Sequence, residues 1–400
     1  MIVTLKDITT KITKGTTPTS IGCKFEKSGI NFIKSESLVD GKTIDKSKFA
    51  FISERTHERL KRSQIEENDI LFSMAGMFLG KTGIATAEVV PANTNQAVAI
   101  IRVDDTKANY EYVYYYLNQK SVIHTINTTS AQSAQPNINL KQIGKIKINL
   151  PDRKKQDQIV SLLSAIDLKI SNNVEINDNL EQQAVALFKS WFVDFSLFGG
   201  TVPENWEDTT LENITTLITR GIAPKYSDNS DQTVVNQKCI RNHTIDLSLA
   251  RTHTPKAINE KWLKFGDLLI NSTGDGTLGR VAQVWFTPKA LTVDSHVTIV
   301  RPAREELIFY IGLWGILHEK EIESLHTGST GQTELPRDRV KMLKLLLPDN
   351  ISLSRFNSII TPMASTIISN QEENQKLASL RDTLLPKFMS GEIDVSNIQF

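Results

Sequence analysis

Between positions 152 and 195 the chain contains no Pro or Gly, and its apolar residues return at alternating steps of four and three. One seam reads Ile159, Leu163, Ile166, Ile170, Asn173, Asn177, Leu180, Ala184, Leu187 and Trp191. That period predicts a helix packed lengthwise on another helix. About 40 residues at ~1.5 Å each make a rod of about 60 Å. Such a helix needs a partner along its length, because most helical stability comes from packing an apolar face. The partner lies in the same chain. Adding 197 to each position gives Phe356, Ile360, Met363, Ile367, Asn370, Asn374, Leu377, Arg381, Leu384 and Phe388, and the LPD before the first helix (150–152) recurs at 347–349. Antiparallel pairing would set Asn173 against Asn374 and Asn177 against Asn370, a polar layer that fixes register at some cost in stability. The competing expectation is that these Asn lie at solvated edges. Pro362 is expected to interrupt the second helix.

The segments before the two helices also correspond. In the first, strands and turns alternate: KITKGTTP (11–18), INFIKSESLVDGKTID (30–45), NDILFSMAG (68–76) and QAVAIIRV (96–103). An aromatic helix NYEYVYYYLNQKSVI (109–123), a polar loop INTTSAQSAQPNI (126–138) and the strand IGKIKINLP (143–151) follow. After a linker SLFGGTVPENW (196–206) the order restarts with LITRGIAP (217–224), GDLLINSTG (266–274), DSHVTIVRP (294–302), TGSTGQ (327–332) and VKMLKLLLP (340–348). The offset drifts only between 197 and 206. The fold class expected is therefore α/β. Two tandem domains (1–150 and 199–348) are each followed by a long helix (151–198 and 349–392), with a tail at 393–400. The two helices would form an antiparallel coiled coil with pseudo-twofold symmetry. Framework strands match best and the polar loops least, as expected of one scaffold carrying two sites of unlike specificity.

Four hundred residues suggest more than one core. No apolar run is long enough to cross a membrane, and the first residues lack the apolar core of a signal peptide. Two cysteines, Cys23 and Cys239, make no disulfide framework or metal site, so a cytoplasmic location is expected. Net charge is +1, but it is unevenly placed. Residues 1–150 carry 20 Lys+Arg against 14 Asp+Glu, and residues 198–348 carry 17 against 18. A mildly basic first domain is compatible with nucleic acid.

Catalytic chemistry is sparse. AGMFLGKT (75–82) satisfies a relaxed phosphate-loop pattern, but the following GIATAEVVPANT is β-branched and reaches Pro91, so no helix N-terminus faces the loop. In the second copy Arg280 is followed by Val281, where the motif needs Lys then Ser or Thr. A tight turn between strands is the expectation. No HExxH, CxxC pair or GxSxG is present, and the seven His have no ligand spacing. ERTHERLKRSQ (54–64) is a basic cluster, read either as a solvated helix or as a phosphate contact. What remains is a two-headed binder suited to a bipartite linear target. A duplicated protein-binding scaffold and a nucleotide hydrolase using Lys81 are the competing readings.

LFKSWFVDF (187–195), VPENWEDTTLENI (202–214), the G-x-x-P loops at 15–18 and 221–224, and LRDTLLPKFMSGEIDV (380–395) together resemble the specificity subunit of type I restriction–modification systems over the full length. The departures are Lys155-Gln156, where members often carry Glu-Gln, and Pro362. The resemblance implies a DNA-binding host-defence protein without catalysis of its own. Each domain would be a target-recognition domain reading half of a split double-stranded DNA site. The helices would set the spacer and dock two modification (methyltransferase) subunits. Restriction subunits with motor and nuclease activity would join, and S-adenosylmethionine, ATP and Mg would reside on those partners. By position the DNA-binding candidates are Lys14, Thr16, Lys34, Ser35, Ser73 and Lys81, then Arg220, Lys225, Asn236, Gln237, Lys238, Arg241 and Arg280. Asn236 and Gln237 are suited to adenine and Arg241 to guanine. The coiled-coil seam is assigned to Ile166, Ile170, Asn173, Asn177 and Leu180 with Met363, Ile367, Asn370, Asn374 and Leu377.

Overall fold

A computed structural model describes residues 1–39, 41–130, 137–328 and 333–395. The chain divides into two compact units, Met1–Ile170 with Gln375–Phe400, and Ser171–Asn374. Each unit takes its own stretch of both long helices, which span Arg153–Phe192 and Asn350–Ser390. The repeated LPD is a helix start. Asp152 Oδ1 accepts from Lys155 N at 3.0 Å, and Asp349 Oδ1 accepts from Ile351 N at 2.8 Å and Ser352 N at 3.0 Å. These carboxylates satisfy N–H groups that a helix N-terminus leaves orphaned. Pro362 does not interrupt the distal helix, contrary to expectation. Its ring is exposed, Thr366 Oγ1 donates to its carbonyl at 2.9 Å, and buried Ile360, Ala364 and Ile367 anchor the flanking turns. One lost backbone bond is outweighed by that packing.

In the first unit a four-stranded antiparallel sheet is ordered Thr9–Lys14, Val98–Val103, Ile70–Ser73, Thr82–Ile84. A second sheet is ordered Ala50–Ile52, Ile30–Ile33, Ala92–Thr94, Gln64–Ile65, with its middle pair parallel. The strand Ile70–Ser73 is buried throughout because both faces are covered. Ile70 and Phe72 pack with Tyr112, Leu163 and Phe388, while Leu71 faces Ile33, Leu38 and Ile100. The aromatic segment forms two helices, Tyr110–Leu117 and Lys120–Ser130. Asn118 marks the break, donating to Thr82 Oγ1 at 2.7 Å and Tyr114 O at 2.8 Å. Its tyrosines are packed rather than presented, and Tyr115 Oη donates to Asp167 Oδ2 at 2.6 Å. The polar loop after it begins inside the second of these helices; its residues 131–136, like 329–332 of TGSTGQ and 396–400 of the tail, lie outside the described residues.

The second unit repeats the plan. Its antiparallel sheet is ordered Thr215–Arg220, Val297–Pro302, Leu268–Asn271, Val281–Gln283, and its mixed sheet Arg251–Thr252, Thr233–Val235, Leu291–Val293. Phe192 sits 4.8 Å from Phe356 and 5.5 Å from Trp206 between ring centroids, and Trp206 Nε1 donates to Asp349 Oδ2 at 2.8 Å. Aromatic residues of LFKSWFVDF and VPENW thus clasp the start of the distal helix.

Helix pairing is read within each unit. In the second, Asn173 Nδ2 donates to Asn374 Oδ1 at 2.9 Å and to Glu373 Oε2 at 2.8 Å, and Asn370 Nδ2 donates to Asn177 Oδ1 at 2.9 Å. Asn173 is fully buried and Ile367 buried, while Asn177, Leu180, Met363, Asn370 and Asn374 are half-buried. The segments run antiparallel in that register. In the first unit Ile166, Ile170 and Leu377 are half-buried, and Arg381 Nη1 donates to Asp167 Oδ1 at 2.9 Å. The corresponding seam positions of the second unit hold Ala184 and Ala364, both buried.

One framework pair recurs. Arg102 Nε and Nη2 each reach Asp69 at 2.8 Å, and Arg301 reaches Asp267 at 2.8 and 2.7 Å. Both carboxylates are fully buried, and each also accepts a backbone N–H, from Glu66 at 2.7 Å and Lys264 at 2.8 Å. A two-point ion pair of this kind ties one central strand to the turn that precedes its neighbouring central strand. Asp267→Ala is expected to destabilise by about 3 kcal/mol, because it removes the carboxylate partner of a mostly enclosed guanidinium that keeps only the Glu260 and Trp262 carbonyls. Urea denaturation measures it, with Asp267→Ala/Arg301→Met recovering most of the loss.

Candidate nucleic-acid interface

The strand ends gather the candidate residues. In the first unit Lys14 pairs with Ala99 and Ser73 with Val98, so the strands carrying them end at the same edge of the sheet. Lys81 joins them there, since Ser73 N donates to Lys81 O at 2.8 Å. The second sheet ends beside the first, with Ile33 paired to Thr94 just before Lys34 and Ser35. Thr16 N closes the gap by donating to Thr94 O at 3.1 Å. Gly15 makes this approach feasible, because a Cβ there would lie 1.8 Å from Thr94 O. Gly221 repeats the contact, with a Cβ 1.9 Å from Val293 O. The G-x-x-P loops are therefore close backbone crossings between two sheets.

Burial and bonding separate the candidates. Ser73 is fully buried, which removes it from any contact surface; sequence position alone could not tell a strand's last inward residue from its first exposed one. Lys14, Thr16, Lys34, Ser35 and Lys81 are half-buried. Lys34 Nζ lies 3.6 Å from Glu36 Oε1 and 5.5 Å over the Phe25 ring. The turn at Gly76–Phe78 joins two antiparallel strands and no helix follows it, so AGMFLGKT lacks the geometry of a phosphate loop.

In the second unit Arg220, Asn236, Gln237, Lys238 and Arg280 occupy the matching edge. Arg220 ends a strand at Thr298, Asn236 follows the Val235–Val293 pair, and Asn271 N donates to Arg280 O at 2.9 Å. Arg220 is committed internally. It donates to Leu335 O at 2.9 Å and pairs with Glu334 at 2.5 Å. Asn236 also spends its amide within the unit, its Oδ1 accepting from Lys238 N at 2.9 Å and its Nδ2 donating to Leu249 O at 3.2 Å. That leaves half-buried Gln237 as the amide not so engaged. Lys225, Lys238 and Arg241 are exposed.

Arg241 belongs to the hairpin Ile240–Arg241/Thr244–Ile245, whose turn residues Asn242 and His243 both have positive φ. His243 Nδ1 meets Glu181 Oε1 of the central helix at 2.6 Å, and its Nε2 lies 3.8 Å from Glu319. Arg280 lines the same cleft with Asp178, Glu181 and Glu319, and donates to Gly276 O at 2.7 Å. Nothing in the sequence spacing linked His243 to Glu181; only tertiary packing joins them. The Glu181 hydrogen bond outweighs burial and raises the His243 pKa above 6.5. The sign follows: the contact contributes fully below the unfolded value of about 6.5 and is lost as pH rises through the raised folded pKa. NMR titration is expected to place His243 above 6.5, with Glu181→Gln lowering it. Arg220→Ala is expected to lower thermal stability, as it removes the tie to Glu334 and Leu335.

Two copies of one scaffold, with cationic and amide side chains at equivalent strand ends, define a duplicated recognition protein. The family model described as the type I restriction modification DNA specificity domain matches residues 1–182. The MjaIX specificity subunit of Methanocaldococcus jannaschii is 26% identical over 334 residues, 77% of this chain and 74% of that protein. The HindI specificity subunit of Haemophilus influenzae is 21% identical over 362 residues, 71% of this chain and 77% of that protein. The solved type I restriction–modification S subunit from M. genitalium shares the fold, with a TM-score of 0.58 at 15% identity over 97% of this chain and 96% of that one. Residues 1–182 thus match the DNA specificity domain of such systems, and over most of its length the chain is similar to type I specificity subunits, which supports a role in DNA sequence recognition. Among the described residues no helix is long and apolar enough to cross a membrane.

Proposed function

We propose that each unit reads one half of a bipartite double-stranded DNA site, while the long helices set the spacer and dock two methyltransferase subunits. The observation that carries this reading is the repeated strand-end edge with unlike side chains: Lys14, Lys34 and Lys81 in one unit, Gln237, Lys238 and Arg280 in the other, with exposed Arg241 on an adjoining hairpin of the second. One scaffold holds the backbone geometry constant and loop chemistry varies the bases accepted. Docking on the helices is supported by apolar side chains turned to solvent, Leu168 at 61% and Ile176 at 46% exposure. Apolar surface on an otherwise polar helix face is the kind a partner subunit covers. This chain would supply recognition without catalysis. S-adenosylmethionine would sit on the modification subunits, ATP and Mg on restriction subunits, and the assembly would act in the cytoplasm as host defence.

The near-neutral charge of residues 198–348 favours a second reading, a scaffold whose heads bind proteins. Mapping methylated adenines in cells that hold this chain and its modification subunit decides between them. A split motif is expected, and Arg241→Ala is expected to relax one half by about 1–3 kcal/mol of discrimination while sparing the other. An unsplit motif, or equal loss at both halves, would count against the proposal.

A further inference from the structure

In the first unit the edge strand Ala50–Ile52 leads into a short helix, Glu54–Arg59, and a tight turn, Lys61–Ser63. Thr56, Leu60 and Ser63 are buried and fix the inward face. Arg55, Arg59 and Arg62 then recur at steps of four and three, with Lys61 beside them, and all four are exposed. Glu54 and Glu58 share the exposed surface, at one and three residues from Arg55, and neither makes an ion pair with these cations among the described residues. This cationic face is held in place by bonds that leave its charge intact. Arg59 donates to Cys23 Sγ at 3.1 Å and Ile21 O at 3.2 Å, and Arg62 donates to Thr16 Oγ1 at 3.3 Å. The acceptors are a thiol, a carbonyl and a hydroxyl. Arg102, Arg153, Arg301 and Arg381 are instead each paired with a carboxylate. A guanidinium has five N–H donors, so Arg59 and Arg62 are oriented yet retain most of their donors. Their anchor, the segment from Thr16 to Cys23, adjoins the strand-end edge at Lys14.

The second unit is built differently here. After its edge strand, Lys256 Nζ donates to Ala223 O at 2.8 Å and Lys261 Nζ to Gly221 O at 3.0 Å. Two ammonium groups there tie the loop down, with Glu260 between them, where the first unit displays three guanidinium groups and a lysine.

We infer that Arg55, Arg59, Lys61 and Arg62 are a sequence-independent clamp on DNA phosphates, present in the first unit and lacking in the second, so that the two units hold DNA unequally. The inference rests on the DNA-recognition reading. Oriented guanidinium forks with no carboxylate partner among the described residues match phosphate oxygens, and phosphate contacts set position while base contacts set sequence.

The test uses the full chain assembled with its modification subunit, and duplexes with and without the recognised site, across roughly 50–200 mM salt. Arg55→Gln/Arg59→Gln/Lys61→Gln/Arg62→Gln is expected to weaken binding to both duplexes by the same factor. The slope of log affinity against log salt should shrink by about 0.9 for each phosphate that is no longer neutralised, with the methylated sequence unchanged. Arg55→Gln/Lys61→Gln alters side chains that make no ion pair among the described residues. It is expected to give a smaller change of the same kind even if removal of Arg59 and Arg62 loosens the loop. An unchanged slope in both variants would overturn the clamp, as would weakening confined to one half-site, which would make these residues base readers. Failure to assemble at constant slope would overturn it in favour of an acidic protein surface. A wild-type assembly that binds neither duplex would overturn the recognition reading itself, and the clamp with it.

Discussion

The antiparallel register of two long helices is the constraint on which the rest depends. Asn173 against Asn374 and Asn370 against Asn177 set that register in the second unit. A slipped pairing would leave the buried Asn173 amide without its partners, at about 1–3 kcal/mol. The layer therefore contributes selectivity among alignments more than stability. In the first unit Asp167 and Arg381 perform the same service, with Tyr115 joining them from the sheet domain. The corresponding positions of the second unit hold buried alanines, which offer no polar tie. Because residues 375–400 return to the unit formed by the first 170, local folding of either sheet domain is incomplete until the distal helix arrives.

Upon that frame each sheet domain is locked by a buried carboxylate and an arginine, Asp69 with Arg102 and Asp267 with Arg301. The segments that reveal the family are likewise structural. LFKSWFVDF and VPENW meet in an aromatic cluster around Phe356, and Leu385, Phe388, Met389 and Val395 of the last motif close the first unit's core. Residues that hold a scaffold must keep their volumes and partners. Residues at a reading edge need only stay polar and reachable, which leaves the loops between the framework strands free to differ between the two copies.

That division explains the unequal fate of the candidates. A cation at a strand end is equally compatible with reading DNA and with bracing a loop. Arg220 braces Leu335 and Glu334, and Asn236 caps a turn. Arg241 stays exposed on a hairpin whose tip His243 docks on the central helix. In the first unit Arg55, Arg59, Lys61 and Arg62 are exposed, whereas Arg102 is paired with a buried carboxylate, as Arg301 is in the second unit.

The sequence by itself determined the duplication and the two long helices, since periodicity and a nearly constant offset are written along the chain; it offered the polar layer as one of two alternatives, and the contacts of Asn173 and Asn370 decided it. It also determined that the loop at 75–82 is a turn, because β-branched residues and a proline follow it. It misjudged Pro362, where tertiary packing of Ile360, Ala364 and Ile367 overrides a local preference. Only the tertiary structure decided that Ser73 is buried, that Arg220 and Asn236 are spent internally, and that His243 meets Glu181. Those outcomes depend on which backbone and side-chain groups of other segments come to lie against each residue, and spacing along the chain does not encode that.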